Sequence, residues 1–143
     1  MITHLEHVGL GVADLERSVA FYRDVIGFSV RRILEPRDDS RLGVITGMPG
    51  ARARIAHLVM GQNMLELFQY IEPAAKSFAH DRSQADKGYI HMGLHSGDVR
   101  SDYDRLRAAG VEFLSAPVEF RPGVWVAYFR GPDGEVIELR QGD

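Results

Sequence analysis

HVGLGVADLERSVAFYRDVIGF, residues 7–28, and HMGLHSGDVRSDYDRLRAAGV, residues 91–111, are one pattern written twice. In both, a histidine (His7, His91) is followed two residues on by glycine (Gly9, Gly93), three on by leucine (Leu10, Leu94) and seven on by aspartate (Asp14, Asp98). A glycine (Gly27, Gly110) then closes the stretch. Self-similarity over this length marks an internal duplication, which fixes the architecture before any single element is read.

Each copy opens on period-two alternation, residues 3–11 and 89–95, as a strand does. Asp14 and Asp98 are placed to N-cap a helix by accepting from its first free amides. Leu15, Val19, Tyr22 and Ile26 share one face of the first helix; Val99, Tyr103 and Leu106 share one face of the second. Gly27 and Gly110 suit a left-handed C-cap. Strand-like runs follow: FSVRRIL, ARIAHLVM and NMLELFQY in the first copy, VEFLS, VWVAYF and EVIELR in the second. The expected fold is α+β, a βαβββ module used twice, with hairpin turns at GQN (61–63) and PDG (132–134) before each last strand. The expected bounds are 1–70 for the first module, 71–87 for a polar linker and 88–143 for the second, in one fused domain. EPRDDSRLGVITGMPGA (35–51) is a long irregular piece suited to a lid.

Composition narrows the function. With 143 residues, 45% hydrophobic and 26% charged, the chain resembles an ordinary globular protein. No apolar run approaches the roughly 20 residues of a membrane span. MITHLEHVGLGVADLE lacks the basic start and apolar centre of a signal peptide, so a cytoplasmic location is expected. There are no cysteines, which excludes disulfides and thiolate chemistry and restricts any metal to nitrogen and oxygen ligands. Net charge is −3 with no basic block, so nucleic acid is not expected as a partner.

Strand parity locates a candidate site. Val8 and Leu10 fall on one face of the first strand while His7, Gly9 and Gly11 fall on the other; Ile90, Met92 and Leu94 oppose Tyr89, His91, Gly93 and His95 in the second copy. Each strand therefore presents an imidazole beside glycines that leave room. The last strand of each copy sets a glutamate in an apolar run, MLELF at Glu66 and VIELR at Glu138. A carboxylate there requires a hydrogen bond, an ion pair or a metal. His7, Glu66, His91 and Glu138 make a candidate four-ligand site for one divalent ion among Zn, Ni, Co, Mn and Fe(II). An octahedral shell would keep two adjacent positions for substrate.

At these residues the chain resembles the vicinal oxygen chelate superfamily of glyoxalase I, methylmalonyl-CoA epimerase, extradiol dioxygenases and bleomycin resistance proteins. The resemblance runs through HVGLGVADLERSVAFYRDVIGF, LELFQY and HMGLH to GPDGEVIEL, which is similar to the family's DPDGN(x)IEL with Gly131 in place of aspartate. It implies two modules forming an open, barrel-like cleft around one metal, His7, Glu66, His91 and Glu138 as ligands, and a homodimer, the modules pairing within a chain or across two.

The chemistry expected is an isomerase or epimerase acting on a small molecule with neighbouring oxygens, such as an α-hydroxy ketone, a hemithioacetal or a malonyl-type thioester. The metal stabilises the enediolate or enolate left when a proton departs, and Glu138 first, Glu66 second, serves as base. His95, Phe68, Tyr70, Trp125 and Arg140 are candidate substrate contacts. Two alternatives stand beside this reading: an extradiol-type dioxygenase on two histidines and one carboxylate, and a metal-free protein that binds a drug or metabolite. The bland reading has Glu66 and Glu138 in ion pairs with Arg54 or Arg140. His4, His57 and His80 are expected to be ordinary surface or satisfied histidines.

Overall fold

The computed structural model describes residues 1–37, 41–77 and 82–143. The chain forms two compact units, Met1–Ser77 and Phe78–Asp143. In the first unit the order is β1 (His7–Gly11), α1 (Leu15–Ala20, continued by π-helical turns over Phe21–Ile26), β2 (Ser29–Leu34), α2 (Arg41–Thr46), β3 (Arg52–Met60) and β4 (Asn63–Glu72). The second runs β5 (Met92–His95), α3 (Val99–Ala108), β6 (Val118–Arg121), β7 (Val124–Arg130) and β8 (Val136–Gln141). Each unit is βαβββ, as the repeat implies, with α2 inserted between β2 and β3 in the first. Each sheet has the same order, β1-β4-β3-β2 and β5-β8-β7-β6, with the first strand parallel to the last and the other pairs antiparallel.

Local signals account for the helices. Asp14 accepts from the Arg17 amide, and Asp98 from those of Arg100 and Ser101. Gly27 adopts φ 111° at the C-cap of the first helical segment, a left-handed conformation that strains other residues. The buried faces are those the periodicity marks: Leu15, Val19 and Tyr22 with Leu65, Leu67, Ala56 and Leu58 in the first unit, Val99 and Leu106 with Ala127, Phe129, Ile137 and Leu139 in the second. Burying each large side chain contributes about 1.5–3 kcal/mol.

A matched pair of side-chain bonds ties helix to sheet in both units. Gln69 Oε1 on β4 accepts the Leu15 amide at 3.0 Å, and Gln141 Oε1 on β8 accepts the Val99 amide at 3.0 Å. Each glutamine lies three residues after the strand glutamate and points to the opposite face of its sheet, toward the helix. The first free amide of each helix is thereby satisfied.

Three expectations need correction. The first strand begins at His7, not residue 3, because His7 already pairs with Met64 next to the hairpin and the ladder has run out; Val8 is accordingly 41% exposed. The strand expected over 89–95 is confined to Met92–His95, since side chains from the connecting segment take the earlier carbonyls: Arg82 donates to Tyr89 O and Gln84 to Ile90 O. VEFLS makes only one bridge, Phe113 to Phe129, and the ladder to β7 is taken up instead by Val118–Arg121. Pro117 intervenes, with no N–H to donate, and restricts the residue before it. Within the piece expected as a lid, α2 exposes Val44 and Ile45; residues 38–40, and the segment 78–81 with His80, lie outside the described residues.

Candidate functional site

Hairpin geometry places the first cluster. The turn at Gly61–Gln62 pairs Met60 with Asn63, so counting back along the ladder sets His57 opposite Glu66. The parallel ladder sets Gly9 beside Glu66 on the other side, and β2 sets Arg32 opposite His57. Gly9, Glu66, His57 and Arg32 therefore form one row across four strands, on the face away from α1. Glu66 Oε2 lies 3.1 Å from His7 Nε2, and Oε1 lies 2.9 Å from His57 Nε2. His7 Nδ1 in turn meets Glu6 Oε2 at 2.5 Å. That contact with Glu6 holds the His7 imidazole above its ordinary pKa, with Glu66 adding to the effect, and holds Glu6 below the usual carboxylate range.

The second unit repeats the arrangement with different neighbours. Glu138 is opposite Gly93 on β5 and Tyr128 on β7. Its Oε2 lies 2.9 Å from His91 Nε2 and 3.3 Å from the Tyr128 hydroxyl. Burial, then the Glu138 charge, pushes the Tyr128 phenol above its ordinary pKa. The His91 and Tyr128 rings meet edge-on at 5.2 Å. His91 Nδ1 is 2.8 Å from Gln84 Oε1, and Gln84 Nε2 donates to Ile90 O, which fixes the amide with its oxygen toward the imidazole.

These contacts assign the ring protons. An acceptor faces Nδ1 of each histidine, a carboxylate at His7 and an amide oxygen at His91, so both carry hydrogen on Nδ1. In the neutral ring the Nε2 lone pair then points at a carboxylate lone pair about 3 Å away. Only a positive charge between them, a proton or a metal ion, makes that contact favourable. Two ligands at right angles with bonds of about 2.1 Å also stand roughly 3 Å apart, and an Nδ1–H donated to an outer acceptor is the usual support for a metal-bound imidazole. Both donor pairs thus fit a divalent ion. Among the described residues no group of three or more such side chains stands ready as a metal cluster; each unit supplies two.

The remaining candidates divide by parity. Phe68 and Tyr70 share the face of Glu66, stacked with centroids 5.9 Å apart. His95 and Arg140 are register partners on the face of Glu138. Trp125 does not join them: it pairs with Gln141 and lies on the α3 face, where the Arg100 guanidinium sits 4.0 Å above its ring. The expected substrate contact at Trp125 is corrected accordingly, because it lies three positions before Tyr128 and an odd step reverses the face. Arg54 also belongs to the helix side, bonded to Glu35 at 3.0 Å and to Glu16, and so is no partner of Glu66. His57, expected to be ordinary, is buried at 6% exposure and touches Glu66 directly. The two-residue hairpin was the signal that placed it. A cavity of about 330 Å³ in the second unit, lined by Arg82, Tyr89, Glu112 and Arg130 among others, shares Gln84 with the site.

Duplicated βαβββ units, each carrying an imidazole–carboxylate pair at the same register, define a class of small α+β proteins. The chain belongs to the Glyoxalase/Bleomycin resistance protein/Dioxygenase superfamily, whose family model matches residues 4–139. It is 33% identical over 144 residues to 2-epi-5-epi-valiolone epimerase from an Actinomyces species, covering 94% of this chain and 77% of the relative. It is 26% identical over 145 residues to ethylmalonyl-CoA/methylmalonyl-CoA epimerase from Cereibacter sphaeroides, covering 99% of each. The crystal structure of a glyoxalase family protein from Bacillus cereus shares the fold with a TM-score of 0.88, over 100% of this chain and 97% of that one, at 20% identity. Among the described residues no helix is long and apolar enough to cross a membrane.

Proposed function

We propose that the protein is a divalent-metal-dependent isomerase or epimerase that moves a proton alpha to a carbonyl on a substrate with neighbouring oxygens. His7, Glu66, His91 and Glu138 would hold the metal, two donors from each unit, within one chain or across two. The observation that carries the reading is the facing of Nε2 and Oε2 at 3.1 Å in one unit and 2.9 Å in the other, each imidazole committed through Nδ1 to an outer acceptor. The similarity to two epimerases supports the reaction class.

When bound, the metal supplies Lewis-acid stabilisation of charge developing on the substrate oxygens. The other roles belong to side chains. Glu138 takes the proton through Oε1, which has no partner among the described residues. Tyr128 and His91 hold that carboxylate through Oε2. Returning the proton from Glu138 to the neighbouring carbon is isomerisation; protonation of the same carbon on its opposite face by solvent or a second acid, with Glu138 releasing its own proton to solvent, is epimerisation. Phe68, Tyr70, His95 and Arg140 are proposed to contact the substrate, the arginine suiting an anionic group.

Elemental analysis of purified protein, followed by solvent-deuterium exchange into α-hydroxy ketones and acyl-CoA thioesters, tests the proposal. About one divalent ion per chain and metal-dependent exchange are expected. Protein that binds no added divalent ion would overturn it.

A further inference from the structure

Glu66 and Glu138 hold equivalent places in the two sheets, yet their oxygens are engaged differently. Glu66 uses both, Oε1 toward His57 and Oε2 toward His7. In Glu138, His91 and Tyr128 converge on Oε2. The difference traces to the residue opposite each glutamate on the neighbouring strand, His57 on β3 and Tyr128 on β7.

The direction of the His57 bonds is fixed by chemistry. Arg32 Nε lies 2.9 Å from His57 Nδ1, and a guanidinium only donates, so Nδ1 accepts. The ring proton is then on Nε2, aimed at Glu66 Oε1. Turning the ring would break both bonds inside a buried site, and the ladder that pairs Arg32 with His57 and His57 with Glu66 holds the three in line. His57 is thus a donor to Glu66 and has no lone pair left on the side that faces it.

We propose that His57, oriented by Arg32, is a positioning residue that occupies Glu66 Oε1 and presents Oε2 alone as the metal-binding atom, so that of the two ligating glutamates only Glu138 keeps a second oxygen to act as base. The proposal rests on the metal reading above. Hydrogen-bonded support of a ligating carboxylate is commonly worth 10–100-fold in metal affinity. Tyr128 does not act in the same way, because its hydroxyl meets the oxygen that already faces His91.

The test begins with the metal-free protein, labelled with ¹⁵N histidine and examined by long-range ¹H–¹⁵N correlation near neutral pH. His57 is expected as the Nε2–H tautomer, and Arg32→Met is expected to release it into a mixture. Zn(II) affinity is then measured by chelator competition, with folding followed by circular dichroism. His57→Phe should bind about 10–100-fold more weakly, and His57→Gln, which keeps an N–H donor, within about threefold of the parent. An Nδ1–H tautomer in the parent, or unchanged affinity in a folded His57→Phe, overturns this proposal while leaving the metal reading intact. Failure of the parent itself to bind Zn(II) overturns the metal reading and this one with it.

Discussion

The Glu135 carboxylate fills the space that a side chain at Gly131 would need: a Cβ there would stand 2.1 Å from Glu135 Oε1. Glu135 is buried at 5% exposure, and its Oε2 accepts the Asp133 amide at 2.9 Å. In the family's DPDGN turn the first and last positions are aspartate and asparagine; here they are glycine and glutamate. The departure at Gly131 is thus one half of an exchange, in which Glu135 supplies the carboxylate inside the turn. Gly131→Asp alone should destabilise the protein by about 1–3 kcal/mol through overpacking and carboxylate repulsion. Combined with Glu135→Asn it should recover most of that loss. A urea-denaturation cycle checks this, and additive single-variant effects would contradict it.

The bonds from Gln69 to Leu15 and from Gln141 to Val99 should each stabilise their unit. Gln69→Leu and Gln141→Leu leave one helix amide without an acceptor, at a cost of about 1 kcal/mol. For a chain of this length that is a fall in Tm of roughly 2–4 °C. Calorimetry of the two variants reads it directly; Tm values equal to the parent's would show the bonds to be dispensable.

What the sequence made legible was local or repeated. The caps at Asp14 and Asp98, the buried helix faces and the His7–Glu66 and His91–Glu138 equivalences follow from spacing within each copy. What escaped needed a pairing partner. His57 looks like any strand histidine until the Gly61–Gln62 hairpin is counted back to Glu66. Trp125 looks like a pocket wall until the five residues between β7 and β8 put Tyr128, not Trp125, across from Glu138. Gln69 and Gln141 are written plainly as Glu-x-x-Gln in both copies, but parity turns them away from the glutamates and toward the helices. VEFLS has a strand's alternation and loses the ladder to a proline beyond it.

The two glutamates should separate in function when each is made neutral. Glu138→Gln removes the base as well as a ligand charge, so proton exchange should fall about 10²–10⁴-fold and stay low even at saturating metal. Glu66→Gln should weaken metal binding about 10-fold or more, and excess metal should restore much of the exchange rate. Deuterium-exchange rates measured against metal concentration distinguish the two. Rescue of Glu138→Gln by metal would reverse the assignment.

Histidine protonation should give the metal-free protein a pH dependence whose parts have opposite sign. Burial, outweighing the attraction of Glu66, holds the His57 imidazole below the 6.5 of a free side chain. As pH falls through 6.5 the unfolded chain takes up a proton that folded His57 refuses, so stability declines on the acid side of that value. His7, held above 6.5 chiefly by Glu6, acts the other way: its contribution is complete below 6.5 and is lost as pH rises through its raised value. Replacing His57 by glutamine should remove the acid-side decline, and replacing Glu6 by glutamine should reduce the loss at higher pH. Urea denaturation in chelator from about pH 5 to pH 8 measures both slopes. Parallel curves for the parent and His57→Gln would mean that His57 is not held neutral by its burial.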